Sequence, residues 1–129
     1  MAMASSVMKL HLNYRLLIAE MNADISILRI LEDYTKEAPA RTSEADVKQK
    51  MDSFKNKFTL LRKEIDDQRN EMHVNKMKLF ALAKQKKETD KKSLRADNHS
   101  AIFKRFDLYK KLFTKTQKEF IRFVGKNFE

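Results

Sequence analysis

The sequence has no cysteine and no tryptophan, and only one glycine (Gly125) and one proline (Pro39). Without cysteine there can be no disulfide, thiolate metal site or cysteine nucleophile. A single glycine cannot build a glycine-rich phosphate loop. Sheets need frequent turns, which lean on Gly, Pro, Asn and Asp, so two breakers in 129 residues point to few, long elements. No apolar run approaches the roughly 18 residues needed to cross a bilayer. The start, Met1 to Met21, carries His11, Asn13, Arg15 and Glu20 and makes a poor signal peptide. The expectation is a soluble chain from a reducing, cytosolic setting.

What is present fits long amphipathic helices. Charged residues make up 36% and hydrophobic residues 42%, with Lys, Glu, Leu and Ala abundant. A chain of 129 residues suits one domain with a real core. The formal net charge of +10 favours acidic surroundings: nucleic acid, an anionic membrane face or an acidic protein.

Three apolar stripes organise the chain. The first begins after Ser5 or Ser6, either a plausible N-cap, and runs through Val7, Leu10, Tyr14, Leu17 and Met21. It then slips by one residue through Ile25, Leu28 and Leu31. The stretch APARTSE, around Pro39, reads as a loop, with Thr42 or Ser43 able to cap the next helix and Glu44, Ala45 and Asp46 in its first turn. The second stripe is the most regular: Val47, Met51, Phe54, Phe58, Leu61, Ile65, Gln68, Met72, Asn75, Leu79 and Leu82 alternate spacings of four and three. Nine of these eleven seam positions are apolar, the pattern of helices packed side by side over a long distance. After the polar stretch KQKKETDKKSLRADN, the third stripe follows through Ile102, Phe106, Tyr109, Phe113, Thr116, Phe120 and Phe123, with Gly125 weakening the helix near its end. The expected fold is all-α: an elongated antiparallel up-down-up three-helix bundle with a left-handed twist and helices over 6–36, 43–86 and 92–126, crossing near 20°.

Catalytic signatures are missing from the sequence. His11, His73 and His99 are never four apart, so no helical histidine pair can grip zinc. The Glu-x-x-His pattern of di-iron bundles is absent, since Met8, Asn70 and Ala96 stand three before the histidines. Glu64, Asp66 and Asp67 sit among Arg62, Lys63 and Arg69 as surface ion pairs. No cofactor or metal is implied, and the chain is expected to act by binding.

Several residues carry two readings. Gln68 and Asn75 either define the register of the seam or mark a wet, splayed stretch. His99 extends the third seam backwards, as a satisfied histidine or as a pH switch. The cations of the later half are Lys84, Lys86, Lys87, Lys91, Lys92 and Arg95, then Lys104, Arg105, Lys110, Lys111, Lys115, Lys118 and Arg122. They form either a solvated face or a surface for anionic lipid headgroups. Nucleic acid is disfavoured because the aromatics lie on the seam, where they cannot stack on bases. Off the seams stand Leu60, Val74, Met77 and Phe80 in the second helix, and Ala101, Phe103, Leu108, Leu112, Ile121 and Val124 in the third. Of these, Leu60, Val74, Ala101, Leu108 and Leu112 are the candidates for a shallow groove that takes a fourth amphipathic helix.

The order of the third stripe also carries a resemblance. His99-Ser100 is followed by Ile102, Phe106, Tyr109 and Phe113, then Thr116-Gln117 and Phe120. This order resembles, without gaps, the third helix of the N-terminal regulatory (Habc) domain of syntaxins, members of the t-SNARE family. The segment VKQKMDSFKNKFTLLRKE, Val47 to Glu64, is more loosely similar to the second helix, and the first helix matches in pattern only. About 22 residues carry the specific motif. The resemblance implies an antiparallel three-helix bundle that regulates vesicle membrane fusion. Its expected partners are the protein's own SNARE helix, other SNARE proteins and a Sec1/Munc18-type protein. The implied SNARE helix and C-terminal anchor would follow Glu129 in a longer protein and hold the domain at the cytoplasmic face of a membrane. The groove between the second and third helices is where the resemblance places the folded-back SNARE helix. The sequence departs from the family in three ways. It has no Asp-Arg-Thr type peptide at its start. It has about ten extra residues between Asn56 and His99. It is also strongly basic. The rival readings are a spectrin-like or tethering helical scaffold, against which the missing tryptophan counts, and a basic helical module on anionic membrane.

Overall fold

A computed structural model describes the backbone of residues 2–38, 42–85 and 98–128, and the side chains of 7–38, 42–81 and 99–128. Three α-helices account for almost all of it: α1 (Ala2–Glu37), α2 (Ala45–Gln85) and α3 (Asn98–Asn127). At 1.5 Å per residue, the 41-residue α2 spans about 60 Å. The cross-helix contacts set the directions. Arg69 reaches Asn22 and Arg62 reaches Glu32, so α1 and α2 run antiparallel. Arg105 meets Glu71 and Phe120 meets Phe54, so α2 and α3 do the same. Tyr14 meets His99 and Tyr34 meets Phe120, which makes α1 and α3 parallel. The architecture is the expected all-α, up-down-up three-helix bundle.

The core follows the seams. Met51, Phe58, Leu61, Ile65, Met72 and Leu79 of α2 are all buried, as are Phe106, Tyr109, Phe113 and Phe120 of α3. Near the end of the bundle that holds Phe120, ring edges meet ring faces. Phe58 and Phe120 lie 5.0 Å apart at 89°, and Phe54 and Phe120 lie 5.1 Å apart at 66°. This edge-to-face geometry sets the positive rim of one ring against the negative face of another.

α1 refines the expected pattern. Val7, Tyr14, Met21, Leu28 and Thr35 form an unbroken heptad column, each 3% exposed or less. The expected slip after Met21 is the widening of this column into a broad face. Ile18, Ile25 and Glu32 flank it on one side, and Asp24, Leu31 and Ala38 on the other, all buried. A helix in contact with two neighbours needs such a width.

The helix ends differ in detail from the sequence reading. α1 begins at Ala2, so Ser5 and Ser6 are helical residues rather than caps. α2 starts at Ala45. The Thr42 hydroxyl accepts a hydrogen bond from the Glu44 N–H at 3.2 Å, and the Glu44 carbonyl accepts one from the Lys48 N–H at 3.1 Å. Thr42 thus satisfies a free donor just ahead of the helix. α3 continues through Gly125 to Asn127, since one glycine costs only about 1 kcal/mol. The expected start at residue 92, Pro39 and its loop residues 39–41, and the cations Lys86, Lys87, Lys91, Lys92 and Arg95 lie outside the described residues. The side chains of Leu82 and Lys84 do too.

Candidate functional site

Between α2 and α3 the bundle opens into a groove of about 870 Å³. Leu60 of α2 and Leu108 and Leu112 of α3 line it, and they stay 67%, 66% and 54% exposed. These leucines sit about a quarter turn off their seams, too far round to reach the core. The floor is made by Leu61, Gln68, Tyr109 and Thr116, all buried. The Tyr109 hydroxyl donates to the Leu61 carbonyl at 3.0 Å and ties α3 to α2 beneath the groove. Burial raises the pKa of this phenol, reinforced by the carboxylates of Asp24, Glu64 and Asp66. Gln68, 2% exposed, donates from Nε2 to Glu64 Oε1 at 2.9 Å. It is a buried seam residue held by its own helix.

Arg105 marks one end of the groove. Its guanidinium reaches Glu71 at 3.1 Å and Glu64 at 3.9 Å, which spans α3 to α2. Val74 and Ala101 lie beyond this crossing. Both are exposed, but neither lines the groove. Three of the five candidate groove residues are therefore brought together and two are not. The rim carries Lys57, Lys63 and Lys115 alongside Asp67 and Glu119.

The residues that carry the family resemblance divide between core and surface. His99, Phe106, Thr116 and Phe120 are buried, Ile102 and Gln117 are half-buried, and Ser100 is exposed. His99 Nδ1 forms a hydrogen bond with the Tyr14 hydroxyl, linking α3 to α1. The Asn75 side chain of α2 also lies close enough to Tyr14 to act on its hydroxyl. Burial, with help from the Glu71 carboxylate, pushes the Tyr14 pKa up to about 12, and the Asn75 side chain offsets only part of this. Asn75 and His99 are thus polar seam residues with partners across the bundle, as a satisfied histidine should be.

Sequence reasoning missed Asp24 altogether. It is 3% exposed, and Lys110 reaches both its carboxylate oxygens at 2.9 Å and Glu20 at 3.2 Å. Burial raises the Asp24 pKa despite the Lys110 hydrogen bonds. Burial alone would lower the Lys110 pKa, but its hydrogen bonds to Asp24 and Glu20 outweigh that and raise it. The two directions agree with the geometry, because the carboxylate lies deep and the Lys110 side chain is 27% exposed towards water. The signal was present: Asp24 stands seven residues from both Leu17 and Leu31, in a core column. Lys110 is therefore a structural residue and not one more cation of a solvated face. Lys104, Lys111, Lys115, Lys118 and Arg122 are exposed and take part in no ion pair among the described residues.

A smaller apolar depression of about 270 Å³ lies between α1 and α3, lined by Ile30, Leu31, Tyr34, Phe120, Ile121 and Val124. Among the described residues, no cluster of three His, Asp or Glu side chains could hold a metal ion. No described helix is long and apolar enough to cross a membrane.

The chain matches no family model, no curated protein and no solved structure. The groove, its tied floor and the unpaired cations are the features from which a function must be argued.

Proposed function

We propose that the chain is the regulatory three-helix domain of a syntaxin-like SNARE and acts by binding rather than by chemistry. The α2–α3 groove holds an amphipathic SNARE helix, in cis, and so delays assembly of the fusion complex. A Sec1/Munc18-type protein is the second partner of this reading. The observation that carries it is the row of exposed leucines, Leu60, Leu108 and Leu112, over a floor of buried side chains. Such a row suits the i, i+3, i+4, i+7 anchors of a helix laid in a groove. The motif order from His99 to Phe120 adds support from sequence. Holding the helix is a population shift, so its strength is set by the difference in contacts between the open and closed forms.

The test is to titrate the full chain with a fluorescent peptide of a syntaxin SNARE helix, against a peptide of the same composition in scrambled order. The expected result is saturable binding of the first alone, lost in the double variant L108E/L112E while its circular dichroism stays helical. Unchanged binding in a folded double variant would sink the groove reading. Unfolding of that variant would show that the two leucines belong to the core, with the same consequence.

A further inference from the structure

The charge of the bundle is concentrated on one helix. Between residues 98 and 127, α3 carries Lys104, Arg105, Lys110, Lys111, Lys115, Lys118, Arg122 and Lys126 against only Asp107 and Glu119, a net of 8 − 2 = +6. Two of these cations are engaged, Arg105 with Glu64 and Glu71, and Lys110 with Asp24 and Glu20. Among the described residues Lys104, Lys111, Lys115, Lys118 and Arg122 are not, and neither Asp107 nor Glu119 pairs with any of them.

At about 100° per residue, these five fall within an arc of about 60° directly opposite the core residues Phe106, Tyr109, Phe113 and Phe120. They form the outermost ridge of the bundle, about 27 Å long at 1.5 Å per residue. Like charges held in a row repel one another, and among the described residues no carboxylate forms an ion pair with them. An anionic occupant would.

We propose that this α3 ridge is a docking surface for an anionic lipid bilayer. Two observations select a bilayer. Lys111, Lys115, Lys118 and Arg122 rim only an open surface depression, so a plane can meet all five cations together, whereas a partner helix would seat in the more enclosed groove between α2 and α3. Exposed aliphatics also flank it: Leu108 on one side and Ile121 on the other, 66% and 58% exposed. Side chains of this kind gain by entering the headgroup–acyl boundary beside the cations and gain nothing from a phosphodiester backbone. Contact is peripheral, since no described helix is suited to crossing a membrane. Docking in this way shares Leu108 and Lys115 with the edge of the α2–α3 groove but leaves Lys57, Lys63 and the groove floor off the membrane plane. Lys104, Lys111, Lys118 and Arg122 lie outside the groove, so the two readings are tested separately.

The experiment is co-flotation of the full chain with phosphatidylcholine vesicles, with and without phosphatidylserine, alongside two variants of equal charge. K104Q/K111Q/K118Q/R122Q strips the ridge without touching any residue that lines the groove. K48Q/K50Q/K55Q/K78Q removes the same charge from exposed positions of α2. The expected result is binding that requires phosphatidylserine. It should fall by about 600-fold in the ridge variant, at roughly fivefold for each of its four cations, and by far less in the α2 variant. Equal losses in both variants would overturn the proposal, because net charge alone would then explain binding. So would absence of binding by the parent chain, or tighter binding to a nucleic-acid duplex than to vesicles at the same salt. If circular dichroism shows the ridge variant unfolded, K111Q/K118Q makes the same comparison at half the charge. Failure here leaves the peptide titration untouched, and failure there leaves the flotation untouched.

Discussion

The two flanks of α3 are built differently. Towards α1 the helix is pinned by a cation driven into the interface: Lys110 lies over the Phe113 ring and closes on the nearly inaccessible Asp24. Towards α2 it is tied below the surface, by Tyr109 to the Leu61 carbonyl, while the layer above stays open and apolar. The bridge over that open side, Arg105 to Glu64 and Glu71, is nearly half exposed at every side chain. The open groove is therefore found where two helices are joined deep and parted above, and not where a polar lock closes the seam.

The largest expected effect comes from breaking the locked flank. Lys110→Ala leaves the Asp24 carboxylate buried without its cation and should cost about 2–4 kcal/mol in chemical denaturation. Adding Asp24→Asn should restore part of that loss, because the uncompensated charge is gone. A full, uncorrected loss in the double variant would show that packing of the lysine stem, and not the charge, holds this side.

Raising the pH tests the same lock together with its neighbour, the Tyr14–His99 contact. Tyr14 has an ordinary pKa of 10.0 when unfolded and about 12 in the fold. Its stabilising effect is whole below pH 10 and is lost as the pH rises through 12, because the unfolded chain gives up the phenol proton first. Lys110 acts in the same direction, its pKa being raised above the ordinary 10.5. Thermal melts should hold level up to pH 10 and drop between 10 and 12, with tyrosinate absorbance at Tyr14 in the folded chain appearing only as the pH nears 12. A melt that stays level to pH 12 would contradict the buried phenol.

The smallest effect is expected on the open flank. Arg105→Ala removes only solvent-exposed pairs and should change stability by less than about 1 kcal/mol. A loss as large as that of Lys110→Ala would erase the contrast between the two sides.

Much of the fold was legible because helical periodicity is local. The uninterrupted four-three spacing from Val47 to Leu79 required one buried stripe, whatever packed against it. His99 could be read as one step of the third seam, and it is buried with a partner. The groove was half legible. Leu60, Leu108 and Leu112 were recognisable as apolar residues off the seam, but so were Val74 and Ala101. Only the Arg105 crossing separates the first three from the last two. Asp24 was hidden for a different reason: a carboxylate in a core column reads as a break until its lysine is seen across the interface.

Lys110 and Lys111 show where the division falls. By itself the sequence determined the number of helices, the face each one buries and the concentration of positive charge on the last. It could not tell these two neighbours apart. In the folded bundle one is locked to Asp24 and the other stands on the outer ridge. A step of one residue turns a side chain by about 100°, and what it then meets depends on where the adjacent helix has been placed. Periodicity within a helix is set by its own backbone, whereas partnership between charges is set by the packing of one helix against another.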